Sequence, residues 1–360
     1  MAVALLTNNL VPYRTPLYER LAADYGVEVL CWGGGRYLPP WFGDLDAQLQ
    51  AARFPARRIH GAADAFRAGW RFDSVITTYA GGPILPAAYA GARAARHGFV
   101  LWASVWAQPR SLTHDLATPV TRWIYRHADA LVAYGEHARR FAAGIRGRDD
   151  DIFIAPQSVE PDVFRREVSG AEVAEFRAAR GIPDGPVILY AGRLVSEKGI
   201  DVLACAWPRV TRPATLVVIG DGPLRARLQS IPGVAVLGAV AREALPVAYR
   251  LATATVVPSV PTPRFREPWA LVCNESLHQG TPVIATSAVG AVAGGLVRDG
   301  HSGLVVAPGD AGALAAAVDR LLSGADLAAR LGENGRQAAA AYTYEAMAAA
   351  FGRALALARR

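Results

Sequence analysis

The chain predicts an α/β protein built as two doubly wound domains in tandem, and three observations carry that reading. Short runs of β-branched and apolar residues alternate with helix-like stretches from end to end, the signature of parallel sheets covered by helices. The alternation breaks and restarts after residue 165. With 360 residues, 52% hydrophobic and 19% charged, the chain exceeds the size at which one core stops growing and carries apolar material for two.

In the first half the strand candidates are AVALLT (2–7), VEVLCW (27–32), SVIT (74–77), FVLW (99–102), ALVAY (130–134) and DIFIA (151–155). PLYERLAADY, ILPAAYAGARAARH and VTRWIYRHADA supply helices between them. The boundary falls in PQSVEPDVFRREVSG, where Pro156, Pro161 and Gly170 are expected to interrupt regular structure. Domains over 1–165 and 166–342 follow. The second half repeats the rhythm with PVILYAG (186–192), TLVVIG (215–220), VAVLG (234–238), ATVVP (254–258), PVIAT (282–286) and GLVVAP (303–308). The tail, about 343–360, reads as an amphipathic helix with Met347, Phe351 and Leu355 at helical spacing, expected to pack in a core, with a return to the first domain as its candidate place.

Cys31, Cys205 and Cys273 are widely spaced, which argues against a disulfide framework or a zinc site and fits a reducing compartment. The opening MAVALLTNNLVPYRTP has neither a basic n-region nor a long apolar run, so a signal peptide or membrane span is not expected and a cytoplasmic location is. A formal net charge of +7 and pI near 9.6 point to acidic partners, with arginine-rich coding bias as the plain alternative.

Of the 38 basic residues only Lys198 is a lysine, in AGRLVSEKGIDVL. The strand ends at Ala191, Gly192 lets the backbone turn, and Arg193 and Lys198 flank a loop at the strand's carboxyl end, where ligands of open α/β sheets bind. A planar guanidinium fork and a compact ammonium are complementary partners for a diphosphate. A second constellation is FREPWALVCNESLHQGTPVIAT. PWALVCNESLHQG reads as a helix with Pro268 in its first turn and Gly280 closing it. Glu267 and Glu275, eight positions apart, would then lie on roughly one side of it, with the amides of Trp269, Ala270 and Leu271 free at an anion-attracting terminus. The plainer reading makes Glu267 a helix-dipole partner and Glu275 a solvated helix residue.

GRLVSEKGIDVL, VVIGDGPLRARL, VAVLGAV, EPWALVCNESLHQGTPVIAT and GLVVAPGDAGALAAAVDRLL, in that order over residues 187–322, resemble the motifs of the family 4 glycosyltransferases, retaining enzymes with the GT-B fold. That resemblance implies two Rossmann-like domains facing a central cleft: an acceptor-binding domain first and a nucleotide-sugar domain second. It implies that Arg193 and Lys198 hold the donor diphosphate, that Glu267 contacts hydroxyls of the transferred sugar, and that Glu275 binds the ribose. It further implies that Gly192, Gly220, Asp221, Gly222, Val240 and the amides near Trp269, Ala270 and Leu271 line the donor, with the backbone near Gly238 beside the base.

The first half departs from the family pattern. It carries TNNLVPYRTPLYERL where many members have a glycine-rich turn, and this resembles a subset acting in polysaccharide assembly. Asn8, Asn9, Tyr13 and Arg14 are acceptor-side candidates on that basis. Ser104 stands where many members place a histidine, with His114 the candidate substitute and a surface histidine the alternative. A glutamate common before LVRDGHSGL is replaced by the run AVAGGLV.

The activity implied is a hexosyltransferase that retains anomeric configuration, without a cofactor, using a UDP- or GDP-linked sugar. The acceptor would be a glycan, a lipid-linked molecule or a small molecule of polysaccharide or glycoconjugate synthesis. A metal is unnecessary if two cations take the phosphate charge. The DLD (44–46) and DDD (149–151) runs read as solvated loops. The competing readings are an inverting transferase or sugar-nucleotide 2-epimerase, a dinucleotide-dependent oxidoreductase, disfavoured because GDGPLR lacks the third glycine, and a nucleic-acid binder, disfavoured because the arginines are dispersed. VTRWIYRHADALVAYGEHARRF, with Arg122, Trp123, Tyr125, Arg126, Arg139 and Arg140, has the composition of a segment resting on an anionic membrane, or of a solvated basic helix.

Overall fold

The computed structural model describes residues 2–33, 44–78 and 82–359. Two compact units emerge, one comprising Met1–Gln157 with Tyr344–Arg360 and the other Ser158–Thr343.

The first unit is a parallel sheet of seven strands: β1 (Val3–Thr7), β2 (Val27–Cys31), β3 (Ala56–Arg58), β4 (Ser74–Thr78), β5 (Gly98–Ala103), β6 (Ala130–Ala133) and β7 (Ile152–Ile154). Their spatial order is β3-β2-β1-β4-β5-β6-β7, so the order reverses at β1. β1, β5 and β6 are buried along their whole length, which explains why they read as unbroken apolar runs rather than alternating ones. β3 has no such run. It is an edge strand inside ARFPARRIH, whose Arg57 and Arg58 pair with Glu28 and Asp46. The helix Tyr344–Ala358 belongs to this unit, and Met347, Phe351 and Leu355 are buried on it. Phe351 meets Trp102 of β5 edge-on at 5.0 Å.

The second unit holds β8 (Val187–Ala191), β9 (Thr215–Ile219), β10 (Val234–Gly238), β11 (Ala254–Val257), β12 (Val283–Thr286) and β13 (Gly303–Val306). They are parallel in the order β10-β9-β8-β11-β12-β13, again reversing at the first strand of the set. Alternate residues of β8 enter opposite cores: Ile188 and Tyr190 join the one with Leu203, Leu304 and Leu321, and Val187 and Leu189 the one with Phe164 and Tyr249.

Several expectations need correction. Pro161 and Gly170 do not interrupt helices but begin them. Pro161 opens Pro161–Phe164, and Gly170 opens Gly170–Ala179, which Ser169 and Glu172 close with a reciprocal capping box. Asp151 of the DDD run is not solvated. Its carboxylate is buried against the Arg146 and Arg148 guanidinium groups, while Asp149 pairs with Arg139. The basic stretch after residue 119 is not one face. Tyr125 is buried in the core, and Arg139 and Arg140 stand on the separate helix Glu136–Arg146, both engaged with Glu136.

Candidate active site

In the six-stranded unit the loops after β8, β9 and β11 meet at the carboxyl edge of the sheet, at its reversal point. Two glycines make that meeting close. A Cβ on Gly220 would lie 1.9 Å from the Gly192 carbonyl oxygen, and one on Gly222 would lie 2.5 Å from that of Leu194. Both also have positive φ, so side chains are excluded twice over. The loops are then stitched by backbone bonds, Leu194 N–H to the Asp221 carbonyl at 2.9 Å and Gly220 N–H to that of Gly238 at 2.8 Å. Buried Tyr190 donates its hydroxyl to the Arg193 carbonyl at 2.7 Å, fixing the segment that carries both cations.

Lys198 and Glu267, 69 positions apart, form an ion pair. The Lys198 side chain is 21% exposed and the Glu267 side chain 6%, so the ammonium faces the opening and the carboxylate lies behind it. Ser259, just beyond β11, donates to the same carboxylate oxygen at 3.1 Å, and its own carbonyl accepts from Thr286 at 2.5 Å. Phe265 presents its ring 5.4 Å from the ammonium. Arg193 stands 3.6 Å from Glu197, half-buried on the same loop.

The helix that follows is shorter than expected. It spans Val272–His278, and Pro268, Trp269 and Ala270 precede it in irregular backbone. Ala270 has φ 73°, the left-handed conformation that terminates rather than starts a helix. Glu267 is therefore not a helix residue. It makes a parallel bridge with Val289, and the Glu267 carbonyl accepts from Gly290 N–H at 3.1 Å. The shared helical side expected for Glu267 and Glu275 is overturned, as is a helix terminus presenting the amides of residues 269–271. Leu271 is instead the residue flanking the helix start, and the Trp269 indole donates to Asn274 at 2.7 Å.

Glu275 sits in the first turn of that helix, half-buried rather than solvated, and accepts from the Tyr249 hydroxyl at 2.5 Å. Burial pushes its carboxyl above the ordinary range, with the Tyr249 bond and Arg242 pulling the other way. Cys273 links the two acids: burial first, then Glu267 and Glu275, hold its thiol far above the usual thiol range. The structure thus gathers Gly192, Arg193, Lys198 and Glu267 around one loop junction, with Gly220, Asp221 and Gly222 beside it. Glu275 stands two residues after Cys273 in the short helix, and Val240 is half-buried at the edge of the core that holds Tyr249.

Tyr190, Tyr249, Ser259 and Cys273 were missed. Ser259 alone had a readable signal, its place just past a strand at the reversal point.

In the seven-stranded unit Asn8 and Asn9 directly follow β1 and are half-buried, as are Tyr13 and Arg14 at the end of the same loop. Ser104 follows β5. His114 is apart from them, in the first turn of helix Leu112–His127, where its Nδ1 lies 2.6 Å from the hydroxyl of the capping Ser111. Among the described residues no group of three or more His, Cys, Asp or Glu is placed to hold a metal. No described helix is long and apolar enough to cross a membrane.

Two doubly wound parallel sheets, one bearing an ammonium and a guanidinium at its reversal point, make this an α/β protein of two Rossmann-like units. Residues 185–324 match the family model described as glycosyl transferases group 1. The alpha-D-kanosaminyltransferase of Streptomyces kanamyceticus is 27% identical over 342 residues, 89% of this chain and 80% of that protein. The 2-deoxystreptamine glucosyltransferase of the same organism is 31% identical over 227 residues, 59% of this chain and 56% of its own length. The D-inositol 3-phosphate glycosyltransferase of Stackebrandtia nassauensis is 31% identical over 259 residues, 64% of this chain and 55% of its own. This chain thus spans little more than half of the latter two proteins. Among solved structures, Anabaena HepE in complex with UDP superposes with a TM-score of 0.81 at 16% identity, covering 99% of both chains. The lipopolysaccharide glycosyltransferase WaaG superposes with 0.63 at 16% identity, covering 96% of this chain and 97% of its own. Residues 185–324 thus match the group 1 glycosyltransferase model, and the chain as a whole shares the fold of HepE and WaaG, two Rossmann-like parallel sheets of the GT-B kind.

Proposed function

We propose that the chain is a retaining hexosyltransferase whose six-stranded unit binds a nucleotide diphosphate sugar and whose seven-stranded unit binds the acceptor. The observation that carries this reading is Lys198, the chain's single lysine, held against buried Glu267 at the reversal point of the second sheet. In the proposed reaction the bond between the anomeric carbon and the diphosphate oxygen breaks. The acceptor oxygen bonds to that carbon on the same face, and its proton passes to the departing diphosphate. Lys198 and Arg193 face the charge growing on the leaving oxygen, and such pre-aimed cations are worth most in a site shielded from water. Glu267, released from Lys198 when phosphate takes its place, accepts from hydroxyls of the transferred sugar. Glu275 takes the ribose hydroxyls, and Gly192, Gly220, Asp221, Gly222 and Val240 line the nucleotide with the amides of Trp269, Ala270 and Leu271. With two cations on the diphosphate, the transfer proceeds without a metal.

A UDP sugar is the donor to test first, because HepE has been solved with UDP and with UDP-glucose. The relatives are named for a 2-deoxystreptamine and a D-inositol 3-phosphate acceptor, and WaaG for lipopolysaccharide biosynthesis, so small-molecule, glycan and lipid-linked acceptors stay in the proposal. Asn8, Asn9, Tyr13, Arg14 and Ser104 are its acceptor-side residues. His114, bound to its own cap, serves the helix rather than replacing the family histidine.

The reading extends to the inner face of the cell membrane. Leu112, Leu116, Val120 and Trp123 are 85%, 81%, 50% and 49% exposed on successive turns of one helix face, with Arg126 exposed on the same helix. An apolar stripe beside arginine suits an anionic lipid surface.

A panel of UDP- and GDP-sugars, screened for a rise in the melting temperature of the purified chain, tests the donor claim through RT ln(1 + [L]/Kd). A UDP sugar is expected to raise it, and failure of every nucleotide sugar to do so would remove the proposal. The anomeric configuration of the product separates retention from inversion, and flotation with acidic liposomes tests the membrane arm.

A further inference from the structure

The seven-stranded unit holds a cation of its own at its reversal point. Arg14 closes the loop that leaves β1, the strand at which the sheet order turns, so it stands beyond the carboxyl edge where ligands of such sheets collect. Its guanidinium carbon lies 4.5 Å from the centre of the Trp102 ring and 5.7 Å from those of Tyr13 and Tyr134. Nη2 donates to the Tyr134 hydroxyl.

That single bond leaves most of the guanidinium's five donors unused. Nε is buried without a hydrogen-bond partner, and so is the Trp102 indole N–H, on a side chain that is 1% exposed; the fully buried Tyr18 hydroxyl lies within reach of Arg14 and Thr7. The groups acting electrostatically on Arg14 are tyrosines, with no carboxylate among them. Aromatic faces compensate a desolvated cation only in part, less than the burial of a cation without an anionic partner costs. What surrounds Arg14, among the described residues, is a set of neutral donors with no anionic acceptor, contributed by the β1 loop, the helix Thr15–Tyr25, β5 and the residue after β6.

We infer that Arg14, with the Trp102 indole N–H and the Tyr18 and Tyr134 hydroxyls, receives an anionic group, a phosphate or a carboxylate, carried by the acceptor sugar. The inference rests on the reading of this edge as the acceptor side and narrows it: an anionic acceptor is favoured, and an amine-bearing one is repelled. The guanidinium fork fits two oxygens of either anion, and the ring faces hold the fork in plane before the ligand arrives.

The test uses the whole chain and calorimetric titration with glucose 6-phosphate and glucuronate, two sources of the same charge, with glucose and glucosamine as controls. Each is measured with and without saturating UDP, so that phosphate binding at the donor site is blocked in one arm. At least one anionic sugar is expected to bind about tenfold or more tighter than glucose with UDP present, the worth of one charge-assisted bond, and glucosamine no better than glucose. Arg14→Gln should abolish that preference and leave UDP affinity unchanged. Should Arg14→Gln fail to fold, Arg14→Lys keeps the charge without the fork and should weaken the anion while sparing UDP. Equal binding of charged and neutral sugars overturns the inference, as does an anion preference that survives in the variant used. Loss of UDP binding alone, with the anions still bound, would count against the donor reading and not against this one.

Discussion

The two sheets share one topology, and each puts a cation beyond its reversal strand, yet the two cations are held in opposite ways. Lys198 touches a carboxylate that a serine also holds; Arg14 touches three aromatic rings and a phenol, with no acid. The paired ammonium keeps its charge balanced without ligand, and a phosphate must displace Glu267 from it. The half-buried guanidinium has no carboxylate beside it, so an arriving anion displaces no charged partner. A fold that places loops in equivalent positions does not dictate the electrostatics there. The residue opposite the cation does.

Removing the ammonium is the strongest way to break this comparison. Lys198→Ala should lower kcat/KM by about 10²- to 10³-fold, the cost of one pre-aimed donor to the leaving group, and abolish most of the UDP-induced melting shift. It should also cost about 3 kcal/mol of stability, because buried Glu267 loses its ammonium partner. Lys198→Met combined with Glu267→Gln should recover stability in urea unfolding and recover no activity. Restored turnover in the double variant would show that the pair is structural only.

A backbone change tests whether the second site depends on close approach. Gly220→Ala would drive a methyl to 1.9 Å from the Gly192 carbonyl at φ 133°, so the strand ends must part. A loss of about 3 kcal/mol and of nucleotide binding is expected. The loop after β1, NNLVPYR, contains no glycine, so the same substitution has no counterpart there.

The third test sets the two acids of the second unit apart. Burial raises the Glu275 carboxyl in the folded state above its unfolded value near 4.5, so the folded chain binds that proton more tightly. Its contribution to stability is then fully present below the ordinary carboxylate range and is lost as pH rises through the raised value. At neutral pH the ionised acid costs stability that Glu275→Gln does not pay. The variant's advantage in melting temperature should grow from pH 4 towards neutrality and then level off, while its affinity for UDP falls with the ribose contact. Parallel curves for wild type and variant across that range would remove burial as the dominant influence.

These contrasts also mark what the sequence could and could not disclose. The inner strands of the six-stranded sheet were readable because strands buried on both faces must be continuous apolar runs, and PVILYAG or TLVVIG is little else; the edge strands β10 and β13, though half-buried in part, keep the same apolar runs. β3 was not, since an edge strand of three residues with two arginines carries no such run. The lone lysine and its loop were readable from composition and from where open sheets bind ligands. Its partner was not: Glu267 was read onto a helix because Pro268 looked like a first-turn proline. Only the positive φ of Ala270 and the bridge to Val289, both set by tertiary packing, put it elsewhere. Arg14 was named from a resemblance, but its aromatic seat was invisible, because Trp102 and Tyr134 arrive from strands far along the chain.

The smallest effect belongs to a residue outside both cation sites. His114 lies one turn into Leu112–His127, its ring bonded to the hydroxyl of Ser111, whose oxygen also accepts from the His114 N–H at 3.4 Å. The ring steadies a cap, and a cap is worth about 1 kcal/mol. His114→Ala should therefore cost less than Ser111→Ala, about 0.5 kcal/mol against about 1 kcal/mol, and leave the UDP-induced melting shift and kcat/KM within about twofold of wild type. Thermal melts of both variants with and without UDP, followed by steady-state rates, give the comparison. A His114→Ala variant that folds normally and loses turnover a hundredfold would move this histidine from the helix end into the reaction, and would restore to it the role that Ser104 leaves open.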